Sequence, residues 1–208
     1  MFRIGFLIVS VLLFSCSDNH HLPYYNSPDF SPQFLSEREA GIKIDHLIND
    51  FSFTDQHNRW FSQKEIEGKI HVANFFFTSC GLICPKMTNN MKLVQQEFKN
   101  DINVAILSFS VTPWIDSATK LNEYASLNEI TSSNWHLLTG NKALIYQLAR
   151  QSYFAEEELG FTKDSTEFLH TEHFLLVDKS KRIRGIYNGT LELDVHQLIE
   201  DIKILKEE

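Results

Sequence analysis

Two hydrophobic rhythms alternate along the chain. Continuous apolar runs occur at 69–77, 103–110, 135–138 and 173–178. Runs of that length, apolar on both faces, are what central strands covered from both sides require. Between them, apolar residues return every three or four positions, the spacing of an amphipathic helix. Met87, Met91, Val94 and Phe98 follow Pro85 in this way. Leu121, Tyr124 and Ala125 do so within 116–127, where Asp116 is a candidate N-cap. Leu144, Ile145 and Leu148 mark a helix over 142–152, and Val195, Leu198, Ile199, Ile202 and Leu205 one over 194–206. A strict alternation over 50–60 surrounds Asp55-Gln56-His57-Asn58 and predicts a hairpin. A second hairpin joins 173–178 to 183–187. Residues 65–68 form a short turn, and 156–167 are a polar, acidic excursion. The order, β-hairpin then alternating strands and helices, predicts an α/β sandwich. Its central sheet is mixed, with helices on both faces and a β-hairpin at the N-terminal end. No repeat and no second domain is visible.

The N-terminal pattern is different. One basic residue, Arg3, precedes an apolar run over 4–14 that is too short to cross a bilayer and has the form of a signal-peptide core. It ends in Ser15-Cys16, a small residue directly before a cysteine, which resembles the processing site of bacterial lipoproteins. The expectation is a signal peptide over 1–15 and lipidation at Cys16. A flexible, proline-containing tether (Pro23, Pro28, Pro32) follows over 16–43, and a single domain occupies 44–208. The protein is then expected in the bacterial cell envelope, lipid-anchored to a membrane with its domain facing the periplasm. There cysteines are able to pair.

Composition changes this picture in two places. The chain has 208 residues, 43% of them hydrophobic, with seventeen Phe, enough for one well-filled core. Its net charge of -8 opposes nucleic-acid binding, which needs a basic footprint.

The chemistry gathers at HVANFFFTSCGLICPKMTNNM. A buried strand stops at Thr78, Cys80 and Cys84 follow, and Pro85 suits the first turn of a helix while biasing the residue before it away from helix. Cys84 is therefore expected at or just before the helix N-terminus, whose dipole would favour its thiolate. Cys80 to Cys84 is expected to be a loop able to bring two sulfurs together for a Cys80–Cys84 disulfide or around one metal ion. Thioredoxin-type enzymes space their cysteines by two residues, not three, and carry a proline before the strand facing them. This chain has no proline after Pro113, and Leu169-His170-Thr171 stands at that place. Two thiolates and an imidazole suit Cu(I) and also hold Cu(II), and they fall one ligand short of a closed zinc site. His173 lies three positions on, an odd separation that puts its ring on the opposite face of an extended chain. His170 is therefore the candidate ligand.

With these residues in view, the chain resembles the Sco (SenC) family of copper-binding, thioredoxin-like proteins. FFFTSCGLICPKM, SVTPWIDSATKLNEYA, WHLLTGNKALIYQLA and HTEHFLLVDKSKRIRGIYNGT carry the resemblance in order. It implies a thioredoxin-like fold and copper held by Cys80, Cys84 and His170. It also implies a metallochaperone serving the dinuclear copper centre of cytochrome c oxidase subunit II or another cuproprotein, by delivering copper or by reducing the cysteines there. The domain is expected to be monomeric. One departure stands out: many members read Val-Asp-Pro where this chain has Val111-Thr112-Pro113, although Asp116 matches the following acid and is expected to cap its helix. Two other functions fit the same residues. One is a periplasmic thiol–disulfide reductase or redox sensor using Cys80 and Cys84. The other is a binding domain in which the pair only staples a loop.

Overall fold

The computed structural model describes residues 21–155, 169 and 171–208. The continuous apolar runs become strands β5 (Ile70–Phe76), β6 (Val104–Ser110), β7 (Trp135–Thr139) and β8 (His173–Val177). Every residue of β5 and β6 is buried, as a strand covered on both faces requires. β5, β6 and β7 run parallel, and β8 pairs antiparallel with β5. β9 (Ile183–Asn188) completes the expected hairpin with β8. The alternating stretch at 50–60 forms the expected hairpin of β3 (Ser52–Asp55) and β4 (Trp60–Ser62), which joins the sheet through β7. Asp55 fixes the turn, its carboxylate accepting the backbone N–H groups of His57 and Arg59 at 2.8 Å each. The sheet is therefore mixed, as the pattern predicts.

Period-two alternation along β5 sends Val72 and Phe76 to one face and Ala73 and Phe75 to the other. The first face packs against α2 (Ile83–Phe98), α3 (Ala118–Leu127) and α5 (Glu192–Glu207) through Met87, Met91, Leu121, Leu198 and Ile202. The second is covered by α4 (Lys142–Gln147), its π-helical extension Leu148–Ser152 and a short 3-10 helix, Gln63–Ile66. Helices on both faces of a mixed sheet are the expected sandwich.

The stretch before residue 44 departs from the expected tether. Residues 24–25 and 32–33 form β1 (Tyr24–Tyr25) and β2 (Pro32–Gln33), which add to the sheet beside β9. Glu37–Lys43 is a helix, α1, held by a capping box in which Ser36 and Glu39 satisfy each other's backbone N–H groups. Arg184, 3% exposed, donates to the carbonyls of Leu22 at 2.7 Å and Pro23 at 3.1 Å and lies 3.9 Å from the Tyr24 ring. A buried guanidinium needs partners for its N–H groups, and the chain at 22–24 supplies them. Cys16 and the segment expected to be a signal peptide lie outside the described residues.

Candidate functional site

Parallel strands joined by helices leave their carboxyl ends at one edge of the sheet, the usual place for a site in an α/β fold. β5 ends there at Phe76. A turn follows, closed by the Cys80 N–H donating to the Phe77 carbonyl at 3.2 Å. α2 then starts at Ile83, two residues earlier than the proline suggests. Cys84 therefore sits in the first helical turn and not in the loop. Proline is tolerated in a first turn because that turn's N–H groups lack helical partners anyway. The N-cap, Leu82, offers no side-chain acceptor, and the sulfur of Cys80 takes that part: the Cys84 N–H donates to Cys80 Sγ at 3.4 Å.

That contact divides the labour between the thiols. Partial burial pushes the Cys80 thiol up. The N–H groups of Cys84, Leu82 and Ile83 and the Cys84 thiol oppose it and prevail, so Cys80 lies below the ordinary thiol range. Cys84, 4% exposed, is pushed up to about 12 by burial, reinforced by its hydrogen bond to Cys80 and by the charge there. The helix end thus favours the thiolate at Cys80, which corrects the expectation that it would do so at Cys84. Both cysteines are free. Cys84 packs in the cluster that holds Phe76, Met87 and Met91, and Leu82, which lies between the two cysteines in sequence, is 87% exposed.

The turn is also tied from the side. The buried carboxylate of Asp116 accepts the Thr78 N–H at 3.2 Å and the Thr78 hydroxyl at 2.5 Å. It also accepts the hydroxyls of Ser110 at 2.6 Å and Thr112 at 2.9 Å. The expected N-cap role falls instead to Ser117, whose hydroxyl accepts the Lys120 N–H at 3.2 Å. Sequence reasoning missed this use of Asp116, because its partner Thr78 lies 38 residues away and no local signal marks the pair. Trp114 and Ile115 project from the same loop into solvent, and Lys142 Nζ sits 4.9 Å from the Trp114 ring.

On the other side, the antiparallel register of β8 with β5 sets His71 opposite Val177 and Ala73 opposite Leu175. The start of β8 therefore adjoins the end of β5 from which the cysteine turn emerges. Leu169 and Thr171 are both buried, and the Thr171 hydroxyl accepts the His173 N–H at 3.2 Å. A bridge ties this approach to the helix of Cys84: the Gly189 N–H donates to the Glu172 carbonyl at 2.7 Å, and Asn90 Nδ2 donates to the Gly189 carbonyl at 2.8 Å. His170 itself lies outside the described residues. Among the described residues no cluster of three metal-ligating side chains occurs. Two of the described histidines are engaged elsewhere: His71 is buried with Nε2 at 2.9 Å from the Tyr153 hydroxyl, and His46 Nε2 lies 2.8 Å from the Ser152 carbonyl.

Comparison with known proteins decides the family. The SCO1/SenC family model matches residues 40–207. This chain belongs to the SCO1/SenC family. A SCO1 protein homolog of Bacillus subtilis (strain 168) is 30% identical over 162 residues, 77% of this chain and 83% of that protein. The structure of BsSco, described as a Sco-family cytochrome c oxidase assembly protein with a disulfide switch, is 30% identical. It covers 78% of this chain and 94% of its own, with a TM-score of 0.66. Bradyrhizobium japonicum ScoI, solved with copper bound, shares the fold with a TM-score of 0.59 at 21% identity, covering 76% of this chain and 99% of its own. The thioredoxin-like fold expected from the family resemblance is thereby established. Thr112 stands where the family resemblance implies an acid. Its hydroxyl donates to Asp116, where an acid would set a second carboxylate against the first.

Proposed function

We propose that this protein is a copper-binding assembly protein. It holds the ion between Cys80, Cys84 and His170 and passes it to the dinuclear copper centre of cytochrome c oxidase subunit II or another cuproprotein. The observation that carries the reading is the pair of free thiols at the α2 N-terminus, one favoured as thiolate and one buried, in a chain of this family. Soft thiolate donors with one imidazole suit Cu(I), and the donor set present fits that ion. Cys84 must lose its proton to ligate, so binding would release it, and affinity would rise with pH. The relatives described as an oxidase assembly protein and as a copper-bound protein support the reading. His170 is assigned because its flanking residues lead into β8, beside the cysteine turn. The test is competitive Cu(I) titration of the reduced full-length protein. One-to-one binding that is lost in Cys80→Ser and Cys84→Ser and weakened in His170→Ala supports the assignment. No stoichiometric binding, or a His170→Ala variant indistinguishable from wild type, overturns it.

A second reading is favoured by the same division between the thiols and by the disulfide switch described for BsSco. Cys80 thiolate would attack a disulfide of the partner, forming a mixed disulfide and expelling one partner thiolate. Cys84, after giving up its proton, would displace the second partner thiolate and leave a Cys80–Cys84 disulfide with the partner reduced by two electrons. Turnover of a disulfide substrate by metal-free protein, unaffected by His170→Ala, would select this reading over the first. We also propose that Cys16 is acylated and anchors the protein to a membrane of the cell envelope. Palmitate labelling that persists in Cys16→Ala would exclude it.

A further inference from the structure

A carboxylate sealed from solvent is costly unless several donors or a cation compensate it. Asp116 is 0% exposed, and among the described residues no cation pairs with it. It is satisfied instead by four donors from three points of the chain: the Thr78 N–H and hydroxyl, the Ser110 hydroxyl at the end of β6, and the Thr112 hydroxyl. A second strap holds the acceptor in place, the Asp116 N–H donating to the Thr112 carbonyl at 2.9 Å. A carboxylate accepts about four such bonds, whereas an amide oxygen accepts about two. Filling this site with an apolar residue would avoid the buried charge, so mere packing does not account for it.

What the carboxylate holds is the turn that carries Cys80. Thr78 lies two residues before it, and the Phe77 carbonyl inside the same turn takes the Cys80 N–H. Pinning Thr78 therefore fixes where Cys80 Sγ stands relative to the Cys84 N–H that donates to it. We infer that Asp116 is a positioning residue for Cys80: through Thr78 it holds the sulfur against the first turn of α2. The inference rests on the dithiol reading above and adds to it the group that sets the thiol's place.

The sign of one measurement separates this role from two simpler ones. The reduced full-length protein is treated with iodoacetamide at pH 7, and the Cys80 adduct is followed by mass spectrometry. A positioning role predicts that Asp116→Asn slows modification of Cys80 about tenfold, the loss expected for a thiol released from one hydrogen bond. Thr78→Val, which leaves every charge in place, should slow it likewise, and Thr78→Ser should restore the wild-type rate. If Asp116 acted only through its charge, removing that charge would favour the thiolate and speed the reaction, which overturns the inference. A lowered melting temperature with an unchanged rate in both variants assigns a purely structural role and also overturns it. Should Asp116→Asn fail to fold, Thr78→Val and its Ser counterpart decide. Copper titration of the same samples keeps the questions apart. Wild type that binds no copper defeats the proposed function, while the alkylation rates still decide the role of Asp116.

Discussion

Cys80 and Cys84 are the same side chain in two environments four residues apart, and they are not interchangeable. Three backbone N–H groups at the start of α2 hold the first below the ordinary thiol range against the effect of its partial burial, while burial holds the second near 12. Because the chief compensating donor is a main-chain group, it survives truncation of the neighbouring side chain. In Cys84→Ala the pH–rate profile for alkylation of Cys80 should keep its midpoint below that of a free thiol. In Cys80→Ala, by contrast, burial alone should keep Cys84 far slower to react at neutral pH than Cys80 is in the wild type, until the protein unfolds. The two thiols, their spacing and the proline are all legible in the sequence. Which thiol the helix end favours is not, because it turns on whether the first turn starts at Ile83 or at Pro85. A proline lowers the helical preference of its predecessor without forbidding it, and the sulfur four residues back settles the matter by accepting the N–H. The work of Asp116 was hidden for a different reason: its hydrogen bonds are tertiary, and a lone Asp before a helix reads as a cap.

The strands that frame the site follow directly from apolar runs, but what aligns them at the site is polar. The bridge from Asn90 on α2 through Gly189 to Glu172 joins the helix bearing Cys84 to the approach to β8. Asn188 continues it, donating through Nδ2 to Glu172 at 2.5 Å. Gly189 is glycine because the Phe174 ring comes so near that a Cβ would stand 2.5 Å from it. Gly189→Ala must push that ring out of the core, a shape change that costs roughly 1–3 kcal/mol. We expect a lower midpoint in urea and, since the bridge moves with Gly189, copper affinity reduced beyond the effect of stability alone. Chemical denaturation paired with Cu(I) competition checks both, and an affinity equal to wild type would disconnect the bridge from the site. Glycine at a strand end suggests close approach in general terms. The ring it makes room for belongs to the facing strand and is visible only in the fold.

Taken together, the fold carries an acid-sensitive interior. His71 is buried against Tyr153, and burial lowers it to about 3. His136 lies beside the Phe61 ring, and burial, its largest influence, lowers it to about 4. In the unfolded chain both take up protons as the pH falls through the ordinary imidazole range, while the native ones stay neutral. Their contribution is thus fully present above the unfolded value and is lost as the pH falls towards 4 and then 3. While both titrate only in the unfolded state, stability should fall by about 1.4 kcal/mol per pH unit for each. Melting temperatures recorded from pH 7 to pH 4 should decline, and His71→Gln should flatten the decline. An unchanged slope would contradict the assignment. These histidines show no ligand spacing in the sequence, which is consistent with their place inside the sandwich. The folding of residues 21–43 was signalled only by Ser36 and Glu39, a capping pair easily passed over in a stretch punctuated by prolines.

That fold-back fixes a length. If lipid is attached at Cys16, a tether running to residue 43 would let the domain roam up to about 100 Å from the bilayer, at roughly 3.5 Å per extended residue. With Leu22 and Pro23 gripped by Arg184, and the Leu22 N–H donating to Glu208, the leash ends after six residues, roughly 20 Å at full stretch. The domain would then ride close to the lipid headgroups, with the Arg184 end of the sheet nearest the anchor and the Cys80 turn at the opposite end of β5.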